Sequence, residues 1–376
     1  MELTLTDDQQ LLRETAIRFM QAACPLETIR SLVDEKSRTD LPAGYLQEAA
    51  ELGWFSLLVP EEFGGGSISG DGLRDAAILA EERGRRLQPG PFIAMNVMAS
   101  ALANGGTADQ RERVLPAVMS GEAGAAWLAN DATGAWAPGE SISVTPKDDG
   151  FVLSGVAGVV QGAAEATWLL VVASGSDGLS QFLIPADGAG VTIHPLDSHD
   201  ISQRFATVEL SEVQTGPDAL VGASGESGAD IERQFQIALT LLVAETLGAL
   251  DGLFEMTRQY AVDRIAFGRP IGSYQGIKYQ LADMSLSIEA AHAVSTAATK
   301  AVQNGQSDAG EMASMAKAWL GDIGIEVAQG CFQIFAGIGY TWEHDLHLFL
   351  RRITMNGLLL GQSEWHRERI CTIHGL

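Results

Sequence analysis

Two short stretches carry the residue types and spacing best suited to binding chemistry. The first runs from Arg264 to Gln275 and the second from Gln333 to Tyr340. Arg264 presents a rigid planar fork of donors that matches a pyrophosphate bidentately. Gly337 and Gly339 lack a Cβ, so backbone N–H groups there can approach a phosphate or a ribose. Gln275 and Gln333 can each donate and accept hydrogen bonds. Phe267 offers an apolar face to an adenine ring. Taken alone, the same cluster also reads as a helix turn held by an arginine cap with packing glycines.

Candidate acids and bases are scarcer. Glu245 sits inside the apolar run from Leu241 to Gly248. A carboxylate there is costly unless paired or functional, so it reads either as a general base or as a structural hydrogen-bonding group. Glu343 and His347 have the i, i+4 spacing of a helical metal site, with His344 and Asp345 between them. No second ligand cluster follows, and no metal is expected. Asp251, Glu255 and Arg258 read as a solvated charged face.

The 376 residues are enough for two or three sub-domains that share a large core. Net charge is −24 with only 24 Lys+Arg, which speaks against a nucleic-acid partner and against an anionic membrane surface. Cys24, Cys331 and Cys371 are few and far apart, so a disulfide framework is not expected and a reducing cytoplasm fits. The opening residues show no basic stretch followed by an apolar one, so no signal peptide is expected. The longest apolar stretches, such as Ile237 to Val243, fall short of the ~20 residues that cross a bilayer.

Three regions must position the chemistry. Residues 1–120 read as helical, with Thr6 as an N-cap and apolar periodicity over Leu11–Met20, Tyr45–Leu52, Asp71–Arg83 and Phe92–Asn104. Residues 121–225 turn to short β-type runs separated by Gly- and Asp-rich turns, which predicts an antiparallel sandwich or barrel. Residues 226–376 are helical again, with long runs over Ile231–Asp263, Gln275–Asn304 and Ala309–Phe335, and a last helix around Glu364. Helices of that length suit a four-helix bundle. The fold class is therefore mostly α with a central β domain.

Three segments together resemble the acyl-CoA dehydrogenase family. They are Leu52-Gly53-Trp54 with Val59-Pro60-Glu61-Glu62-Phe63-Gly64-Gly65, the Arg264–Gln275 stretch, and the Gln333–Tyr340 turn, where Ala336 replaces the first glycine. They stand in family order and spacing over nearly the whole chain. The resemblance implies the acyl-CoA dehydrogenase fold: N-terminal helices, a middle β domain and a C-terminal four-helix bundle. It implies FAD at a subunit junction, an acyl-CoA substrate, α,β-desaturation with a glutamate as base, and electron transfer to an electron-transfer flavoprotein. Arg264, Phe267, Gln275, Gln333, Gly337 and Gly339 would hold the adenosine and pyrophosphate half of FAD.

The departures from the family pattern matter as much. Where typical members carry tyrosine–glutamate–glycine–threonine, this chain has Leu359-Leu360-Gly361-Gln362. The base position is Leu360, and leucine cannot accept a proton. A second family location for the base, on the first bundle helix, falls on Ala238. Glu245 is the nearest carboxylate, two turns or ~10.5 Å away along that helix. On the flavin-ring side, Asn130 and Gln161 remain as hydrogen-bonding candidates, while the family's stacking tryptophan is absent. The pattern resembles the base-lacking subunit of α2β2 heterotetramers that act in bacterial steroid side-chain breakdown. Two alternatives stand beside it: a homo-oligomeric enzyme using Glu245, and a non-catalytic scaffold or binding protein on the same fold.

Overall fold

The computed structural model describes residues 5–35 and 41–376. The Met1–Thr4 stretch that opens the leader reading lies outside them. Six helices come first: α1 (Asp7–Ala23), α2 (Leu26–Asp34), α3 (Tyr45–Glu51), α4 (Gly72–Arg85), α5 (Phe92–Gly105) and α6 (Leu115–Met119). Thr6 does start α1. Its hydroxyl accepts from the Gln9 backbone N–H while the Gln9 side chain accepts from the Thr6 N–H, so two orphan donors are satisfied at once.

Eight strands of the middle region form one sheet: β1 (Ala125–Leu128), β2 (Gly139–Lys147), β3 (Gly150–Gln161), β4 (Trp168–Gly175), β5 (Gly178–Pro185), β6 (Val191–Leu196), β7 (Phe205–Thr215) and β8 (Leu220–Val221). The order is β6-β7-β3-β2-β4-β5-β8, with β1 also beside β4. The expected antiparallel pairing holds for most neighbours, but β4 pairs in parallel with both β1 and β2. The sheet is therefore mixed. The β2–β3 hairpin lies between β1 and β4 in the chain, which lets β4 return in the direction of β1. Turn residues mark where a strand ends, not which strand it will join.

Strand β4 shows what the sheet does for the site. Leu169 to Ala173 are all buried. Leu169, Val171 and Ala173 face a small core within the β domain, and Leu170 and Val172 join the large helical core. A strand covered on both faces reads as a continuous apolar run rather than an alternating one.

The C-terminal region holds α7 (Gly228–Asp263), a two-residue-strand hairpin β9 (Ile265–Ala266) and β10 (Arg269–Pro270), α8 (Gln275–Gln303), α9 (Ala309–Phe335), α10 (Leu346–Leu358) and α11 (Ser363–Ile373). Helices α7 to α10 make the bundle, and α11 packs on α9. Helix α7 is long and apolar enough to span a membrane by length and composition, but 83% of that apolar window is buried inside the fold. A helix apolar all round is one that other elements surround.

Helix α7 meets α4 backbone to backbone. A Cβ on Gly248 would lie 1.7 Å from the Glu81 carbonyl oxygen, and one on Gly84 would lie 1.8 Å from that of Glu245. No side chain fits at either place. Asp251, expected on a solvated face, is instead half-buried at this crossing. It accepts from Arg85 at 2.5 Å and pairs with His292 at 3.1 Å. Glu255 and Arg258 are exposed and bonded to each other, as a surface pair should be.

Candidate functional site

Leu360, Asn130 and Gln161, far apart in sequence, line one cavity with Trp127, Val159 and Leu242. Its volume is about 60 Å³. That is room for a few water molecules, whereas sites for organic ligands occupy roughly 300–1,000 Å³. None of the residues lining it carries a carboxylate. The segment after β1 supplies Asn130, β3 supplies Gln161, α7 supplies Leu242, and the turn between α10 and α11 supplies Leu360. Two of these residues are strained: Val159 has φ +51° at an irregularity in the β3–β7 pairing, and Leu360 has φ +57°. Left-handed backbone at a non-glycine residue costs roughly 1–2 kcal/mol and persists where the surroundings impose it.

A wider cavity of about 540 Å³ adjoins this one, sharing Val159 and Leu359, with Glu364 and Trp365 on its rim and aromatic packing along one wall. Trp136 stacks on Phe235 with ring centroids 4.1 Å apart, and Phe235 lies parallel to the His366 ring at 6.1 Å. Trp127 leans on Trp136 at 5.1 Å. This stack ties the β domain to α7 and α11. Sequence reading did not single out Trp136, because an isolated tryptophan in a Gly/Ala-rich segment carries no period.

The turn that bears Leu360 is held by two buried basic groups. Lys317 on α9 donates to the Gly357 and Gly361 carbonyls at 2.9 and 2.8 Å, which satisfies the end of α10. His366 Nε2 donates to the Leu360 carbonyl at 3.0 Å. Burial lowers the Lys317 pKa from its ordinary 10.5 to about 7. Burial, with Lys317 close by, pushes His366 down to about 3, so its ring is neutral. A lysine on an otherwise apolar helix face was the available sequence signal for this anchor.

Glu245 belongs to a different place. It is buried and accepts from Arg352 at 3.1 Å, from Gln203 at 3.3 Å and from Asn356 at 3.4 Å. Arg352 also meets Asp200 at 2.5 Å and donates to Ser202 Oγ and to the Leu87 and Gln88 carbonyls. Burial opposes the charge on Arg352, but Asp200 and Glu245 together carry its pKa above the ordinary value. Glu245 is not among the residues lining the Leu360 cavity. Its place in an apolar run is thus explained by an ion pair with Arg352. His344, Asp345 and His347 also have protein partners: Asp345 takes Arg30, His344 accepts from the Leu346 N–H, and His347 donates to the Trp342 carbonyl.

The remaining candidates gather at one end of the bundle. Helix α7 ends there, the hairpin follows, α8 begins and α9 finishes, with Tyr260 stacked on Phe335 at 4.2 Å between α7 and α9. Arg264, Phe267, Gln275, Gln333 and Gly337 are all exposed. Phe267 is 97% exposed, and its φ of +52° with Gly268 at +84° makes the tight turn of the hairpin. That turn geometry favours Asn-Gly, and a phenylalanine in it is strained. Arg264 forms no ion pair among the described residues. Gly337 is open, since a Cβ there would meet nothing within 4 Å. Gly339 differs from the expectation. It is buried, and a Cβ would meet Phe335 at 3.0 Å and Leu346 at 3.1 Å, so it serves packing.

Residues 6–122 match the acyl-CoA dehydrogenase N-terminal domain, and residues 229–372 match the acyl-CoA dehydrogenase C-terminal domain. The chain belongs to the acyl-CoA dehydrogenase family. Family membership places it among the oxidoreductases. Among curated relatives, FadE34 of Mycobacterium tuberculosis is 31% identical over 98% of this chain, which spans 48% of that protein. IpdE2 of Mycolicibacterium smegmatis is 26% identical over 97% of this chain and 98% of its own. Among solved structures, the Tcur3481–Tcur3483 steroid ACAD is 27% identical with a TM-score of 0.87 over 99% of both chains. A glutaryl-coenzyme A dehydrogenase complex, at 22% identity and a TM-score of 0.90 over 100% of this chain and 97% of its own, shares the fold.

Two outcomes are expected. Glu245→Gln leaves Arg352 short of one buried carboxylate and lowers unfolding free energy by ~3 kcal/mol in a denaturant titration. An unchanged midpoint would sink the structural role. Lys317 binds its proton more weakly folded than unfolded, so between pH 7 and 10.5 the unfolded chain holds the extra proton and stability rises with pH. The difference between wild type and Lys317→Met should shift by up to about 2.7 kcal/mol from pH 7 to pH 9. Parallel pH profiles would contradict it.

Proposed function

We propose that this chain is the non-base subunit of a heteromeric, FAD-dependent acyl-CoA dehydrogenase. It would contribute the adenosine and pyrophosphate contacts of a site whose base and flavin-ring pocket lie in a second, related subunit. The observation that carries this reading is the cavity at Leu360: about 60 Å³ and without a carboxylate. An isoalloxazine does not fit those 60 Å³ by themselves, and the wider space beside them is bordered by one carboxylate, the exposed Glu364, rather than by an acid at Leu360. The adenosine half of FAD does suit the opposite end of the bundle, where Arg264 is exposed without an ion pair among the described residues and Phe267 stands in solvent.

On this reading Arg264 binds the pyrophosphate through its guanidinium fork. Phe267 covers the adenine, and Gln275 and Gln333 accept and donate around the ribose. When bound, FAD supplies the acceptor for the hydride that leaves the acyl β-carbon. This chain's own residues bind and orient; none of them moves a proton at the thioester. The acyl group is assigned to the steroid side-chain class, because the Tcur3481–Tcur3483 relative is described as a steroid ACAD and pairs two differently named chains. An electron-transfer flavoprotein is the expected acceptor of the electrons, and the cytoplasm the expected location.

The reading is tested by purifying the chain alone and after co-expression with a neighbouring dehydrogenase. Alone it should be colourless and inactive; the pair should carry flavin absorbance and desaturate an acyl-CoA. A yellow, active protein from the single chain would refute the heteromeric reading, and a pair without flavin would favour the scaffold. Phe267→Asn separates folding from binding. Asn suits the hairpin turn, so the melting temperature should hold or rise, while flavin retained by the pair should fall. Full flavin occupancy in that variant would remove Phe267 from the site.

A further inference from the structure

A second, larger cavity lies apart from the one at Leu360. It has a volume of about 590 Å³ and lies between the loop preceding α4, helix α5, the first turns of α7, and Gln181 and Val221 of the sheet. It shares no lining residue with the Leu360 cavity. Its walls are apolar along Leu57, Val59, Leu73, Ala101 and Ile237. That size and lining fall within the range of organic-ligand pockets, ~300–1,000 Å³.

Its polar groups are mostly committed. Gln181 and Gln234 exchange two amide hydrogen bonds, at 2.6 and 2.9 Å. Gln303 accepts from the Leu73 N–H at 2.7 Å, and the Ser67 hydroxyl donates to Asp75. Arg233 is different. It is half-buried, lines the cavity, and donates one N–H to the Val302 carbonyl. It forms no ion pair among the described residues. A guanidinium has five donors, so four remain. Burial alone pulls its pKa below the ordinary arginine value, with no carboxylate to offset the desolvation. Other half-buried arginines of this chain, such as Arg85 and Arg369, have carboxylate partners.

A half-buried cation at the wall of a cavity with both polar and apolar faces is completed by an anion, and the planar fork selects an oxyanion that can accept two bonds. The charge of the surroundings narrows the class. Glu61 and Asp230 also line the cavity, and both are exposed. A dianion would set two charges against one guanidinium with two carboxylates near; a monoanion balances Arg233 and adds none. We propose that this cavity binds a small monocarboxylate with an apolar body, its carboxylate on Arg233 and its body against Ile237 and Ala101. The site is separate from the one proposed for FAD. It shares no lining residue with the Leu360 cavity, although α5, α7 and the sheet border both.

Octanoate is a suitable probe, with octanol and inorganic phosphate as controls, titrated calorimetrically into the full chain. Octanoate should bind one per chain, and both controls at least about tenfold more weakly. Arg233→Gln should weaken octanoate by about tenfold or more, the range expected for a charge-assisted bond. Asn104→Trp, which leaves Arg233 in place and puts bulk into the cavity, should do the same if Arg233→Gln proves unstable. Absence of octanoate binding overturns the proposal. So does equal affinity for octanol, which would mean an apolar pocket alone, and so does phosphate binding as well as octanoate. Octanoate affinity unchanged in the two variants would place the ligand elsewhere and equally overturn it.

Discussion

Arg352 is the constraint on which the rest of this structure depends. It is wholly buried on α10 and reaches all three parts of the chain: Glu245 on the first bundle helix, Asp200 and Ser202 in the loop after β6, and the Leu87 and Gln88 carbonyls after α4. One cation between two carboxylates is a demanding arrangement. Breaking such a pair leaves a buried charge uncompensated, at a cost of ~3–5 kcal/mol. The three parts therefore cannot slide past each other without leaving buried charge exposed to an apolar interior. The bare glycine crossing of α4 on α7 fixes the same geometry from the other side, since Gly84 lies on the carbonyl of Glu245 itself.

That rigidity has a consequence for the Leu360 cavity. Its walls come from α5, the sheet, α7 and the α10–α11 turn, which are elements the Arg352 network and Lys317 hold in place. Trp136 stacked on Phe235 forms a fixed wall of the wider cavity beside it. Protein interiors are close-packed and deform in discrete steps, so a cavity the size of the one at Leu360 does not widen smoothly to admit a ring system.

Much of the architecture was legible because it rests on periodicity and on turn chemistry. The long helices, the helix–sheet–helix order and the capping box at Thr6 all follow from local sequence. What was not legible depends on pairing across distance. The parallel neighbours of β4 are set by where the β2–β3 hairpin is inserted, which no local signal reports. Glu245 illustrates the limit well. Its apolar neighbourhood showed that it must be paired or functional, but its partner is 107 positions away and is one of two adjacent arginines. The α10 helix itself, Leu346–Leu358, lacked an outline in the sequence because its buried arginine interrupts the apolar face. Gly337 and Gly339 look alike in a motif, yet one is open and the other is packed against Phe335 and Leu346.

The two regions, at Leu360 and at the bundle end, face different physical demands, and this bears on how the fold accommodates a leucine at position 360. At Leu360, replacing an acid with a leucine removes a carboxylate from an apolar cavity and so removes a desolvation cost. Packing then accumulates there: the aromatic stack and the lysine anchor both favour the chain by itself. At the bundle end nothing is gained by the chain alone. Phe267 is held in water on a strained turn, and Ile265, Ile338 and Tyr340 are exposed nearby. Apolar surface and backbone strain of this kind stabilise nothing in an isolated subunit. They make physical sense only when another molecule covers them. The asymmetry, an acid-free site at one end and an uncovered apolar surface at the other, is what a subunit would show if its contribution to chemistry were made across an interface.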